Sequence, residues 1–205
     1  WMGDNAYTTG TDAEYQAKVF DIYPQQFKKM PLYPSPGNHD YANAGYQSST
    51  VLGINFAYFR IFSMPMAGEA GGMPSGTEKY YSYDYANIHF ISLDSYGALN
   101  GPGSPMYNWL VSDLDDNRQR WTIVYFHHPP YTKGSHNSDT DSELTNMRQN
   151  IIPLLESYGV DLVLSGHSHT NERTALIKGH YGLSGTFNSS MVIQGGTGAQ
   201  PNPYV

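Results

Sequence analysis

A chain of 205 residues is long enough to bury one good core, and a formal charge of −7 without any basic run excludes a nucleic-acid scaffold. With no cysteine, disulfides, thiolate zinc sites and thiol nucleophiles are excluded as well. The 21 glycines and 13 prolines predict a loop-rich fold, and no apolar run approaches the ~18 residues of a membrane span.

Trp1-Met2-Gly3-Asp4 reads as the end of a strand entering a turn, so we expect the chain to be part of a longer polypeptide. Thr11-Asp12-Ala13-Glu14 is a capping box, and Tyr15, Val19, Tyr23 and Phe27 follow at helical spacing, with Pro24 dividing the helix. A short extended stretch then leads into Pro36-Gly37-Asn38-His39-Asp40, and Ser63–Gly76 reads as a mobile surface loop. Residues 79–85 and 87–94 alternate like a hairpin turning at Ala86.

Ser104-Pro105 caps a second helix that buries Met106, Leu110 and Leu114 beside Trp109. The apolar strand Trp121–Phe126 ends at His127-His128. A third helix should open on the capping box Thr140-Asp141-Ser142-Glu143, bury Leu144, Met147, Ile151 and Leu155, and stop at Gly159. The buried-looking strand 160–165 leads directly into Gly166-His167-Ser168-His169, where glycine permits a sharp turn and two imidazoles emerge together. Two further strands are expected at 174–178 and 190–194.

Strands alternating with helices and then running alone predict an α/β sandwich, a mixed sheet flanked by helices in a single domain over 1–205. The potential ligands recur at one kind of place, the carboxyl ends of strands, where open α/β sheets bind their ligands. Asp4, Asn38, His39, His127, His167 and His169 can therefore converge on one crevice, with Tyr7 close behind Asp4. A carboxylate can bridge two cations, imidazoles suit iron, zinc or manganese, and a phenolate favours ferric iron. His89 reads as a structural strand residue, and His180 as a turn residue without a partner.

Gly3-Asp4-Asn5-Ala6-Tyr7, Gly37-Asn38-His39-Asp40, Val124-Tyr125-Phe126-His127 and Gly166-His167-Ser168-His169 resemble, in order and spacing, motif blocks of the calcineurin-like metallophosphoesterases. Tyr7 and Glu172-Arg173 make the chain most similar to the purple acid phosphatase branch. The resemblance implies a four-layer α/β/β/α sandwich with mixed sheets, here without its first strand, whose Asp-x-Gly block would lie upstream of Trp1. It implies two metal ions bridged by Asp4: ferric iron on Asp4, Tyr7 and His169, and zinc, manganese or ferrous iron on Asp4, Asn38, His127 and His167. His39 and His136 match catalytic histidines that meet the phosphate or the leaving group. His128 stands where a small polar residue is usual, and Glu172-Arg173 would support the His169 loop as an ion pair. The implied activity is hydrolysis of phosphate monoesters by attack of metal-bound hydroxide on small phosphorylated substrates. A phosphodiesterase or nucleotidase of the same superfamily is the nearest alternative, and an inactive remnant or binding module is the alternative of another class. An extracellular or periplasmic location is implied too.

Overall fold

The hairpin over 81–92 opens a four-stranded sheet. Strands β1 (Tyr81–Tyr85) and β2 (Ile88–Ser92) pair antiparallel around Ala86, which turns with φ 54°. β3 (Trp121–Phe126) lies parallel to β2, and β4 (Leu162–Ser165) parallel to β3, giving the order β1-β2-β3-β4. Three neighbouring strands thus release their chains at the same edge. In a separate parallel bridge Met2 pairs with Ser35, so the segments ending in Asp4 and Asn38 also run side by side. The computed structural model describes residues 1–44 and 56–194; Gly198–Val205, expected to trail the last strand, lies outside them.

Strand alternation divides the core between the two faces of this sheet. Ile91, Val124 and Phe126 pack against Met106, Leu110 and Leu114 of helix α4 (Pro105–Asp116) and against Met147, Ile151 and Leu155 of the third helical segment. Tyr81 packs on the opposite face with Tyr15, Val19, Tyr58 of helix α3 (Ala57–Ile61) and Phe62. That face is rich in phenols because each ring must also place a hydroxyl: Tyr58 and Tyr81 both donate to the Pro34 carbonyl, at 2.7 and 2.8 Å. The α/β class with a mixed sheet is what the residues predicted. The second sheet consists of two short antiparallel strands, β5 (Leu176–Ile177) and β6 (Val192–Gln194).

Local chemistry explains where elements depart from expectation. The Thr11–Glu14 capping box forms, but α1 (Asp12–Tyr15) widens into a π turn at Gln16–Phe20 before Pro24 starts α2 (Pro24–Phe27). Tyr15 and Val19 are fully buried, whereas Tyr23, beyond the widened turn, is 41% exposed. The box expected at Thr140 does not form, because Asp141 occupies the cap position and its carboxylate goes to His136 instead. α5 (Ser142–Asn146) and α6 (Ile152–Ser157) flank a π turn at Met147–Ile151; Pro153 lacks the N–H that would close a regular turn. β4 is an edge strand rather than a buried one, with Leu162 45% and Leu164 41% exposed.

The loop over 63–76 is pinned rather than loose. The Met73 N–H donates to Asp113 at 2.9 Å, and the Trp109 indole donates to the Met73 carbonyl at 3.0 Å. His89 is structural, as expected, and is clamped between Asp84 (2.7 Å) and Asp113 (2.9 Å). His180 does have partners: it is buried, lies 3.2 Å from the Leu183 carbonyl, and stacks against Tyr131. A turn rich in glycine gave no hint of that burial.

Candidate metal centre

At the shared sheet edge β2 runs on to Ser95, β3 to His127 and His128, and β4 to His167 and His169. The Met2–Ser35 bridge delivers Asp4 and Asn38 to the same place. Gly166 is required there by proximity, since a Cβ on it would stand 2.8 Å from the Met2 carbonyl. The left-handed turn itself is made by His167 (φ 61°), and Asp4 turns the same way (φ 52°). Non-glycine residues pay a strain cost in that region, and here it falls on two side chains of the cluster.

His127 is the hub. Its Nδ1 donates to the Met2 carbonyl at 2.8 Å, which leaves Nε2 to face the cluster. Around Nε2 stand Asp4 Oδ2 at 3.0 Å, Asn38 Oδ1 at 3.1 Å and His167 Nδ1 at 3.1 Å. Nε2 can carry at most one proton, and one proton cannot bond fully to the Asp4 and Asn38 oxygens together. A cation can. Ligands ~2.0–2.1 Å from a zinc-like ion stand about 3.3 Å apart in a tetrahedron, close to the spacing seen here. The donor set fits a divalent metal.

A second group shares Asp4. The Tyr7 hydroxyl lies 2.9 Å from Asp4 Oδ2 and 3.0 Å from His169 Nε2. Burial alone would raise the Asp4 carboxyl, but His127, the His39 N–H and Tyr7 outweigh it and hold it down to about 2. Burial and the Asp4 charge push the Tyr7 phenol up, so without a cation it stays protonated. Burial, with His127 adjacent, lowers His167 to about 4 and His128 to about 2, keeping both imidazoles neutral and available as ligands.

His39 and His136 flank this cluster. The His39 N–H donates to Asp4 Oδ1 at 2.9 Å, and its Nδ1 reaches the Thr8 carbonyl at 2.6 Å. His136 lies with its ring 3.8 Å from that of His167 and its Nδ1 3.1 Å from Asp141. A cleft of about 420 Å³ opens here, and its lining includes Asn38, His128, His136, Asp141, Glu143 and His167. The loop over 63–76 contributes nothing to this lining. The sequence-predicted residues are therefore brought together, Asp4, Tyr7, Asn38, His127, His167 and His169 in the cluster and His39 and His136 beside it. Glu172 supports the His169 loop by accepting from Thr132, from the Lys133 N–H at 3.1 Å and from Thr170 at 3.0 Å.

Sequence reasoning missed the groups that hold the cluster in place. Asp40, 1% exposed, accepts from the Gly37 N–H (2.8 Å), the Asn5 amide (2.9 Å) and the Tyr15 hydroxyl (2.5 Å). It thereby ties the Asp4 turn to the Asn38 turn. Burial raises its carboxyl, and those donors offset the cost. Asp94 plays the same part beyond β2, accepting from Tyr41 at 2.5 Å and from the Gly97 N–H at 2.7 Å. Asp40 directly follows His39, and that adjacency was the one signal available.

The family model described as calcineurin-like phosphoesterase matches residues 1–171. Purple acid phosphatase 18 of Arabidopsis thaliana is 31% identical over 180 residues, covering 84% of this chain and 37% of that protein. Purple acid phosphatase 23 of the same plant is 36% identical over 149 residues, covering 71% of this chain and 30% of that protein. The matches thus span 37% and 30% of the length of these two curated relatives. A purple acid phosphatase structure from yellow lupin (Lupinus luteus) seeds aligns with a TM-score of 0.44 at 18% identity, covering 65% of this chain and 24% of that one.

Proposed function

The chain belongs to the calcineurin-like phosphoesterase family, and on that footing we propose that it hydrolyses phosphate monoesters at a dinuclear metal centre, as a purple acid phosphatase-like enzyme. The observation that carries this reading is the meeting of Asp4, Asn38 and His167 at one nitrogen of His127. Asp4, Asn38, His127 and His167 would hold zinc, manganese or ferrous iron, and Asp4, Tyr7 and His169 would hold ferric iron. Cations so held supply Lewis acidity to a phosphate and acidify water near neutral pH.

The chain's own residues do the rest. Asp40 and the Met2 carbonyl fix the Asn38 and His127 side of the site, so little reorganisation is needed when substrate arrives. His136, oriented by Asp141, offers its other ring nitrogen to a phosphate oxygen or to the departing alkoxide. His39, anchored through Nδ1 to the Thr8 carbonyl, does the same from the Asp4 side. The size of the cleft suits small phosphorylated substrates. Among the described residues no helix is long and apolar enough to cross a membrane, and the likeness to plant acid phosphatases supports an extracellular or periplasmic location.

The test is reconstitution with ferric iron and zinc followed by assay on 4-nitrophenyl phosphate. Activity should appear together with a visible charge-transfer band, and Tyr7→Phe should remove the band. A protein that binds two metals yet leaves the monoester intact would overturn the catalytic reading, and colour that survives Tyr7→Phe would remove Tyr7 from the site.

A further inference from the structure

Resting on the metal-centre reading above, we propose that His128 is an additional imidazole ligand for the cation held by Asp4, Asn38, His127 and His167. His128 is 2% exposed, and among the described residues it groups with His127 and His167 so that their ligand nitrogens all lie within 4.8 Å of one another. Its ring centroid is 4.4 Å from that of His167 and 4.9 Å from that of His127.

Its setting is that of a ligand rather than a packed core histidine. His89, a structural histidine of this fold, has both ring nitrogens on carboxylates. Among the described residues His128 has one ring nitrogen engaged: Nδ1 lies 2.8 Å from Ser95 Oγ. Ser95 Oγ also accepts the His128 backbone N–H at 3.0 Å, so one hydroxyl fixes both the residue and its ring. With Nδ1 donating to that oxygen, Nε2 keeps its lone pair, and His128 lines the same cleft as Asn38 and His167. A polar neighbour on the second nitrogen is what orients ligating histidines in general. Topology supplies it here, since Ser95 leaves β2 beside its parallel neighbour β3, which delivers His128. Tyr96 closes the ring's other side, stacked at 5.8 Å and 22°.

The test uses zinc at one equivalent, with affinity read by competition against a chromophoric chelator and ligand count by X-ray absorption. His128→Ala should weaken zinc binding tenfold or more and remove one imidazole from the scattering. His128→Gln, which keeps much of the volume, should do the same, and Ser95→Ala should give a smaller loss. Melting curves of the metal-free variants verify that each is folded. His167→Ala separates the two claims. If it leaves zinc affinity unchanged, the metal-centre reading itself fails. If it abolishes binding while both folded His128 variants keep wild-type affinity and scattering, the His128 proposal alone is overturned. Unchanged zinc affinity with weakened inhibition by inorganic phosphate also overturns it, assigning His128 as a donor to the anion.

Discussion

Replacing His89 with Gln tests whether the hydrogen-bond accounting that underlies the fold is right. His89 sits on β2 with Nδ1 2.7 Å from Asp84 and Nε2 2.9 Å from Asp113. Ionised carboxylates only accept, so both ring nitrogens must carry protons and the ring is an imidazolium. Burial opposes that charge, but Asp113 and Asp84 outweigh it and raise the His89 pKa above its ordinary value. The Asp113 and His89 side chains are 1% and 3% exposed, so removing one partner strands a buried charge, at a typical cost of about 3–5 kcal/mol. Asp113 would still accept from Ser82 at 2.5 Å and from the Met73 N–H at 2.9 Å, which favours the lower end, ~3 kcal/mol. The Asp84 side is 31% exposed and adds at most ~1 kcal/mol.

We expect His89→Gln to lose about 3–4 kcal/mol, or ~6–16 °C in Tm for a domain of this size. Asp113→Asn in the same chain should recover part of the loss. The pH dependence has a definite sign. Because the folded pKa is raised, the His89 contribution is complete below the unfolded value near 6.5 and fades as pH rises through the folded value. Urea unfolding of the chelator-treated protein, followed by tryptophan fluorescence, should therefore show a wide gap between wild type and variant at pH 5.5 and a narrower one at pH 9. A gap below ~1 kcal/mol at pH 5.5, or one that widens with pH, would refute the charged clamp.

Gly37→Ala would set a Cβ 2.3 Å from the Asp4 N and 2.4 Å from its Oδ1, so Asp4 must move; zinc titration should show affinity falling at least tenfold, with ~1–3 kcal/mol lost in the melt. Leu110→Ala, at a fully buried position on α4, should cost ~2–5 kcal/mol in urea while leaving metal stoichiometry unchanged. Asp141→Asn removes the charge that orients His136; kcat on 4-nitrophenyl phosphate should fall about tenfold or more while zinc affinity holds, and a loss of zinc instead would show that Asp141 serves the metal site.

The side chains of the cluster were legible in the sequence because their signals are short in range. A run of β-branched and aromatic residues followed at once by Gly-His or His-His marks a strand end with chemistry on it, and nothing distant is needed to see it. The α4 stripe and the 81–92 hairpin were legible for the same reason. What stayed hidden depends on partners far along the chain. Asp40 looks like any polar turn residue until Tyr15 and Asn5 are seen donating to it. Thr140-Asp141-Ser142-Glu143 satisfies the pattern of a cap, but His136, five residues before Asp141, competes for its carboxylate and wins. The edge position of β4 is likewise invisible to a hydrophobic pattern, which records that Leu162 and Leu164 are apolar but not which neighbours are present to cover them.

The strain at Asp4 and His167 shows which demand dominates at this edge. Both residues hold positive φ immediately after a glycine, Gly3 and Gly166. Glycine at position 4 or 167 itself would relieve the backbone, which otherwise costs on the order of 1–3 kcal/mol per residue. It would also delete a carboxylate shared by both clusters or an imidazole facing His127 Nε2. The chain places its glycines one residue earlier, where a Cβ would strike the His127 ring or the Met2 carbonyl, and accepts the strain at the chemistry-bearing positions. Stability is given up where the side chains must converge.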